Sequence, residues 1–238
     1  MRIDSIGFGD MRLKQNPDDF CYGIDAVLLA DFAKLSSSDT VCDLGSGNGI
    51  VPLIINHKYS PVKITGLEFQ SEPYKLAVEN AALNNLENKI CFVNADVLDV
   101  KTIFEPESFT AVTSNPPYTE KGTGPVGANP VKHAARHETT ADLKDFISAA
   151  SYLLCKGGSF TIVHRPSRLV DIFTYCREFG MEPKKLRFVA PYENREPNIV
   201  LVQCIKGGGK ELKTEPTLIV RTSAGDYTSD IDKIYERI

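Results

Sequence analysis

The amino-acid sequence predicts an α/β fold built on a doubly wound, mainly parallel sheet. Three features carry that expectation. Short β-branched runs alternate with helical apolar periods from about Thr40 onward, a glycine-rich turn joins the first run to the first helix, and turn residues recur at βαβ spacing. With 238 residues, 42% of them hydrophobic, the chain can bury one full core, so a single domain is expected.

Thr40–Leu44 reads as a buried strand, followed by the glycine-rich turn and an apolar helix from Ile50. Residues 63–67 form a second strand. Ser71 is expected to cap the next helix, with Pro73 in its first turn and Tyr74, Ala77, Val78 and Ala81 on one face. Residues 90–93 and 109–113 are two further strands. A helix over residues 142–154 leads through Gly157-Gly158 to a strand over 160–163. Pro166 opens another helix with Leu169, Ile172, Phe173 and Cys176 on its buried face, and Gly180 closes it. Residues 186–190 and 199–205 make a final strand pair. Residues 119–140 follow neither period, as expected of a functional or mobile loop. After Gly207-Gly208-Gly209 comes a polar tail whose role is not legible, with one candidate edge strand over 218–220. The expected division is an N-terminal capping segment (1–39), a core (40–206) and a tail (207–238).

A formal net charge of −4 argues against broad non-specific nucleic-acid binding. It leaves room for a local basic patch, because charges act over about 8 Å in physiological salt. The six cysteines include no CxxC and no zinc-spaced Cys/His pair, so they read as small thiols, most of them buried, and no metal is expected. The N-terminus starts no secretory pattern, and no apolar run approaches the ~18 residues of a membrane span. A soluble cytoplasmic protein without a membrane partner is the expectation; a monomer is assumed.

The segment Asp43-Leu44-Gly45-Ser46-Gly47-Asn48-Gly49 lies where the first strand meets the first helix. Glycines belong where a ligand must approach the backbone. A nicotinamide-dinucleotide fingerprint would need a third glycine where Ile50 stands, and no GK[ST] follows, which excludes a phosphate-cradling P-loop. Glu68 ends the second strand about 20 residues on, where a carboxylate can accept both hydroxyls of a ribose; its bland alternative is a solvated strand-end charge. Asp96, past the third strand, can accept from an adenine amino group or cap a short helix at Val97.

Ser114-Asn115-Pro116-Pro117-Tyr118 follows the fourth strand. Two prolines remove two N–H donors and stiffen the chain, leaving carbonyls free to face a ligand. An amino group conjugated to a ring or carbonyl is a poor nucleophile. If the Asn115 side-chain oxygen and the Pro116 carbonyl each accept one of its hydrogens, its lone pair turns toward an electrophile, and Tyr118 offers a stacking face. Alignment then carries most of the rate. The bland alternative is a proline-rich turn with a packed tyrosine.

In this order, these motifs resemble those of the class I S-adenosylmethionine-dependent amino-methyltransferases. That resemblance implies a Rossmann-like, seven-stranded, mostly parallel sheet with an antiparallel edge strand, and S-adenosylmethionine as cofactor. Over nearly the whole chain the sequence is similar to the bacterial valine-tRNA adenine-N6 methyltransferases. The similarity is carried by Phe20-Cys21-Tyr22-Gly23-Ile24-Asp25-Ala26-Val27-Leu28-Leu29, Ala135-Arg136-His137-Glu138, His164-Arg165-Pro166-Ser167-Arg168-Leu169 and Arg195-Glu196-Pro197-Asn198. It implies N6-methylation of the adenine just 3′ of the anticodon. It also implies that Tyr22, Ile24 and Asp25 join Asp43, Gly45, Ser46, Gly47, Gly49, Glu68, Asp96 and Asn115 around the cofactor.

From Lys121 through His137 there is no acidic residue. Lys121, Lys132, Arg136 and His137 are therefore expected phosphate contacts, with Arg165 and Arg168 adding to them from the same sheet edge. Lys184, Lys185 and Arg187 read first as a solvated face. An anticodon loop suits this design, since an unpaired base is extruded more cheaply than a paired one. Three alternatives stay open. Glutamine-directed protein methylation also uses this acceptor loop, but residues 1–39 are too few for the substrate domain such enzymes carry. DNA adenine methylation lacks a target-recognition domain, and a non-catalytic RNA binder would not need an intact acceptor loop.

Overall fold

The computed structural model of the chain describes residues 1–16, 22–118 and 141–238. The chain begins with an antiparallel hairpin of β1 (Arg2–Ser5) and β2 (Arg12–Gln15), then α1 (Ile24–Ala33). Alternating units follow: β3 (Thr40–Leu44), α2 (Ile50–Tyr59), β4 (Lys63–Glu68), α3 (Ser71–Leu83), β5 (Ile90–Asn94), the short α4 (Val100–Ile103) and β6 (Phe109–Ser114). Beyond the second gap come α5 (Leu143–Leu153), β7 (Leu154–His164), α6 (Leu169–Glu178), β8 (Met181–Tyr192), β9 (Ile199–Lys206), β10 (Lys213–Thr214), β11 (Leu218–Arg221) and α7 (Ser229–Ile234).

The main sheet runs β5-β4-β3-β6-β7-β9-β8, and β10 and β11 both pair with the outer side of β8. All neighbours are parallel except β9, which is antiparallel to β7 and to β8. The antiparallel strand therefore lies inside the sheet rather than at its edge. The two tail strands raise the count to nine, where seven were expected. The tail is thus a continuation of the sheet, protecting what would otherwise be an exposed edge of β8.

Strand residues alternate between two apolar layers, as the period-2 geometry of a strand requires. Ile199 and Leu201 of β9 join the layer formed with α1, α2 and α7, whereas Val200, Val202 and Cys204 join the layer of α5 and α6. The first layer also takes in Ile6, Phe8 and Leu13 of the N-terminal hairpin region and Ile231, Ile234 and Tyr235 of the tail, so both ends of the chain share its core.

Two local expectations change and a third holds. Ser71 is the first helical residue of α3 and Gln70 occupies the cap, without a side-chain cap bond. Gly157 and Gly158 interrupt no strand: β7 starts at Leu154, and its pairing jumps from Phe109↔Leu154 to Ala111↔Ser159, making a bulge. Gly158 is needed there because a Cβ would sit 2.9 Å from two backbone oxygens, those of Cys155 and Thr110. The helix expected over 142–154 is present as α5, opened by a capping box between Asp142 and Asp145.

Candidate functional site

The parallel strands bring their carboxyl ends to one edge, and their register makes those ends level: Leu44 faces both Leu67 and Ser114, and Glu68 faces Asn94. The chain leaves β3 toward β4 on one side, while β6 returns on the other. The glycine loop and Asn115 thus meet at the topological switch point, where open α/β sheets bind ligands.

The glycine loop is anchored by Leu67 O, which accepts from the N–H groups of Gly45 and Ser46, and by the Gly49 N–H to Ser46 O bond. From below, Glu68 Oε2 accepts from the Gly47 N–H at 2.8 Å while Oε1 accepts from that of Gln70, also at 2.8 Å. The Phe69 N–H is a third backbone donor to the same carboxylate. Burial pushes the Glu68 carboxyl upward, partly offset by these backbone donors. Gly47 has φ +54°, and a Cβ there would meet no atom of the described residues within 4 Å, so among them the outer side of the loop is open. Open backbone above a buried carboxylate fits a nucleoside bearing vicinal hydroxyls. Asp96 combines its two readings: Oδ1 accepts from the Leu98 N–H, capping the short turn at Val97, and Oδ2 has no hydrogen bond among the described residues.

The Ser46 side chain points beneath the loop: it is 4% exposed, its Oγ has no partner among the described residues, and that oxygen would lie 2.8 Å from a Cβ on Gly66. Its backbone faces the open side. Gly66 itself escaped the sequence reading, since its setting comes from a distant strand: a Cβ there would meet the Phe92 ring at 2.4 Å. Gly66→Ala is expected to lower stability by about 1–3 kcal/mol through overpacking, seen as a lower denaturant midpoint at constant slope. An unchanged midpoint would mean that Phe92 yields freely.

Asp43 is fully buried at the end of β3, and Oδ1 accepts from Thr113 Oγ1 at 2.6 Å. Desolvation, opposed by that hydrogen bond and helped by the charge of Glu68, raises its pKa to about 7. One residue further on, Ser114 Oγ donates to Leu44 O at 2.9 Å. These two bonds tie the start of the acceptor loop to the start of the glycine loop.

Asn115 is half-buried, Pro116 buried and Pro117 exposed. The Asn115 side chain makes no hydrogen bond to any described residue. Tyr118, by contrast, is firmly held. Its hydroxyl donates to Asp25 Oδ2 at 2.6 Å, the Arg165 guanidinium lies 4.9 Å from its ring centroid, and the His164 ring lies 5.0 Å away. Burial, then the Asp25 charge, pushes the phenol far above its ordinary range. His164, 1% exposed, accepts the Arg165 N–H on Nδ1 and is lowered to about 4 by burial and the two nearby arginines, so it is neutral at physiological pH. Asp25 therefore sits against the acceptor loop; Tyr22 and Ile24 are half-buried beside the same core layer.

Arg165 is exposed, and its Nη1 donates to Asn198 O; Arg168 pairs with Asp171 at 2.7 Å. Lys184 and Arg187 donate to backbone carbonyls of Gly209, Lys210 and Pro216, which makes that basic group an anchor for the tail. Lys121, Lys132, Arg136 and His137 lie outside the described residues, as do the Ala135–Glu138 motif and Phe20-Cys21. Among the described residues no helix is long and apolar enough to cross a membrane, and no group of three or more His, Cys, Asp or Glu could hold a metal ion.

Comparison with known proteins bears on the family and the fold. The family model described as "Methyltransferase small domain" matches residues 13–177. A tRNA1(Val) (adenine(37)-N6)-methyltransferase of Porphyromonas gingivalis (strain ATCC BAA-308 / W83) is 24% identical over 245 residues, 99% of this chain and 95% of the relative. One of the same description from Escherichia coli O157:H7 is 29% identical over 182 residues, 76% of this chain and 73% of the relative. Among solved structures, a predicted O-methyltransferase from Agrobacterium tumefaciens superposes with a TM-score of 0.73 at 22% identity, covering 89% of this chain and 95% of that one. A geranyl diphosphate C-methyltransferase from Streptomyces coelicolor A3(2) reaches 0.56 at 14% identity, covering 76% and 77%. The solved structures share a fold across different acceptors, so the acceptor must be argued from the site.

Proposed function

The chain belongs to the methyltransferase small domain family, and we propose that it transfers a methyl group from S-adenosylmethionine to the N6 nitrogen of an adenine in RNA. The acceptor we assign is the adenine 3′ of the anticodon in a valine tRNA. The observation that carries the reading is Asn115: a half-buried amide with no hydrogen bond to any described residue, beside a buried proline and level with the glycine loop. At the switch point of the sheet, an amide so placed can accept a hydrogen from a ligand's amino group. The match of the P. gingivalis enzyme over 99% of this chain supports adenine over other acceptors.

When bound, S-adenosylmethionine supplies an activated methyl group on a sulfonium. In the proposed arrangement Glu68 accepts from its ribose hydroxyls, Asp96 Oδ2 accepts from its adenine amino group, and Gly47 leaves room for close approach. Asn115 Oδ1 and the Pro116 carbonyl each accept one hydrogen of the acceptor's amino group. This would turn the nitrogen lone pair toward the methyl carbon; as the N–C bond forms, the methyl's bond to the sulfonium would break to leave a neutral thioether, and the acceptor nitrogen would release one proton to solvent. Neither group needs to be a strong base; orientation and exclusion of water account for the rate. Tyr118 offers the stacking ring, held in plane by Asp25. Arg165 is the described cation nearest that ring, and Lys121, Lys132, Arg136 and His137 remain the proposed phosphate contacts.

Tyr118→Phe keeps the ring but removes the O–H donor, leaving Asp25 without its partner. Single-turnover transfer should slow by about tenfold, the order of one charge-assisted hydrogen bond, and Tyr118→Ala should slow it much further. Equal losses in the two variants would mean that the ring does no stacking.

The reading is tested with labelled S-adenosylmethionine and unmodified valine tRNA, alongside a transcript carrying another base 3′ of the anticodon. Label in the first and none in the second is expected. Transfer to a release-factor protein but to neither RNA would replace adenine with a glutamine amide as acceptor.

A further inference from the structure

We propose that Asn80 is a positioning residue for the cofactor, joining the N-terminal hairpin to the glycine loop; this rests on the assignment of that loop to S-adenosylmethionine. Asn80 lies on α3, is 0% exposed, and has both amide hydrogens and its carbonyl oxygen engaged. Oδ1 accepts the Lys14 N–H at 2.6 Å, while Nδ2 donates to Lys14 O at 3.0 Å and to Asn48 O at 2.9 Å. Asparagine is a poor helix former, and a buried amide is costly unless fully bonded. What it bonds to therefore explains its presence.

One turn later Asn84 does half of the same work. Its Oδ1 accepts the Arg12 N–H at 2.9 Å and its Nδ2 donates to Arg12 O at 2.8 Å. Four helical residues rise about 6 Å and two strand residues about 6.6 Å, so the two amides match alternate residues of β2. Together they stand in for a neighbouring strand and satisfy its outward edge. Asn80 differs in its third bond. Asn48 lies between Gly47, whose N–H Glu68 holds, and Gly49, whose missing Cβ would lie 3.2 Å from that of Ala77 on α3. The loop is thus held from below by Glu68 and from behind by Asn80, whose two remaining bonds fasten it to β2. The amide sets the height of the Gly47 backbone over the sheet, where a nucleoside would lie.

The test compares Asn80→Ala with Asn84→Ala, by calorimetric binding of S-adenosylhomocysteine and by methyl-transfer kinetics. Both variants lose hairpin bonds, so both should melt at a lower temperature. Asn80→Ala alone should weaken cofactor binding, by about tenfold for one lost loop anchor, with kcat at saturating cofactor within about threefold of the parent. Asn84→Ala should bind cofactor as the parent does. Should Asn80→Ala fail to fold, Asn80→Ser places a neutral hydroxyl there that is too short to span both Lys14 and Asn48, and it should show the same loss of affinity. Equal cofactor affinity in the Asn80 and Asn84 variants would overturn the proposal, leaving Asn80 a hairpin anchor only. If the parent protein binds neither S-adenosylmethionine nor S-adenosylhomocysteine, the reading of the pocket falls and this proposal with it.

Discussion

Asn115→Ala should slow methyl transfer by at least about a hundredfold, since a misaligned acceptor forfeits most of what orientation supplies. The loss should appear in the chemical step. The Asn115 side chain bonds to no described residue, so its removal leaves no buried partner unsatisfied and should change stability little. Ser114, its neighbour, keeps the loop in place through its bond to Leu44 O. Binding of S-adenosylhomocysteine should therefore stay near the parent value. The pair of measurements is single-turnover transfer and calorimetric titration. If binding fell as far as transfer, Asn115 would be part of the cofactor seat or of the fold, and the amino-nitrogen reading would lose its main support. Asn115→Asp is an informative companion: it keeps an acceptor oxygen but brings a charge, so partial activity would single out acceptance of the amino hydrogen as the role.

Asp43→Asn should reshape the pH dependence of folding. Burial raises the Asp43 pKa from 3.8 to about 7. Between those values the folded protein holds a proton that the unfolded chain releases, so folding stability falls as pH rises through this window and levels off above about 7. Asparagine has the shape of the neutral acid, can still accept from Thr113, and does not titrate. At pH 5 the variant should already lead by about 1–2 kcal/mol, and by pH 8 that lead should have grown by about 2–3 kcal/mol more, at roughly 1.4 kcal/mol per pH unit below the raised pKa. Urea unfolding of both proteins at the two pH values measures this. Parallel profiles would mean that Asp43 is ionised throughout and that Thr113 and its surroundings stabilise the charge.

Much of the scaffold was legible because it is written in local chemistry. β3, β4, β5 and β6 were bounded to within a residue, since β-branched runs and flanking turns are properties of neighbouring positions. Asn115-Pro116-Pro117 could be singled out for a similar reason: missing donors and fixed φ angles are covalent facts. Helix α1 was harder. Ala26 through Ala30, with Phe32 and Ala33, are all buried, so it presents no polar stripe from which a helical period could be read. The tail was opaque because β10 and β11 are short and gain their meaning only from pairing with β8.

The sequence by itself determined the order of strands and helices, the glycine loop with its carboxylate one strand on, and the acceptor loop at the end of the fourth core strand. Each of these depends on residues a few positions apart. Tertiary structure decided the partnerships: Asp25 with Tyr118 at 93 residues' separation, Asn80 with Lys14 at 66, and Ser46 turned under the loop against Gly66. A hydrogen bond depends on distance in space, and only the crossing of strands and helices brings such distant positions within 3 Å of each other. The pattern could therefore announce a site, while the fold chose which of its side chains face the ligand and which hold the others in place.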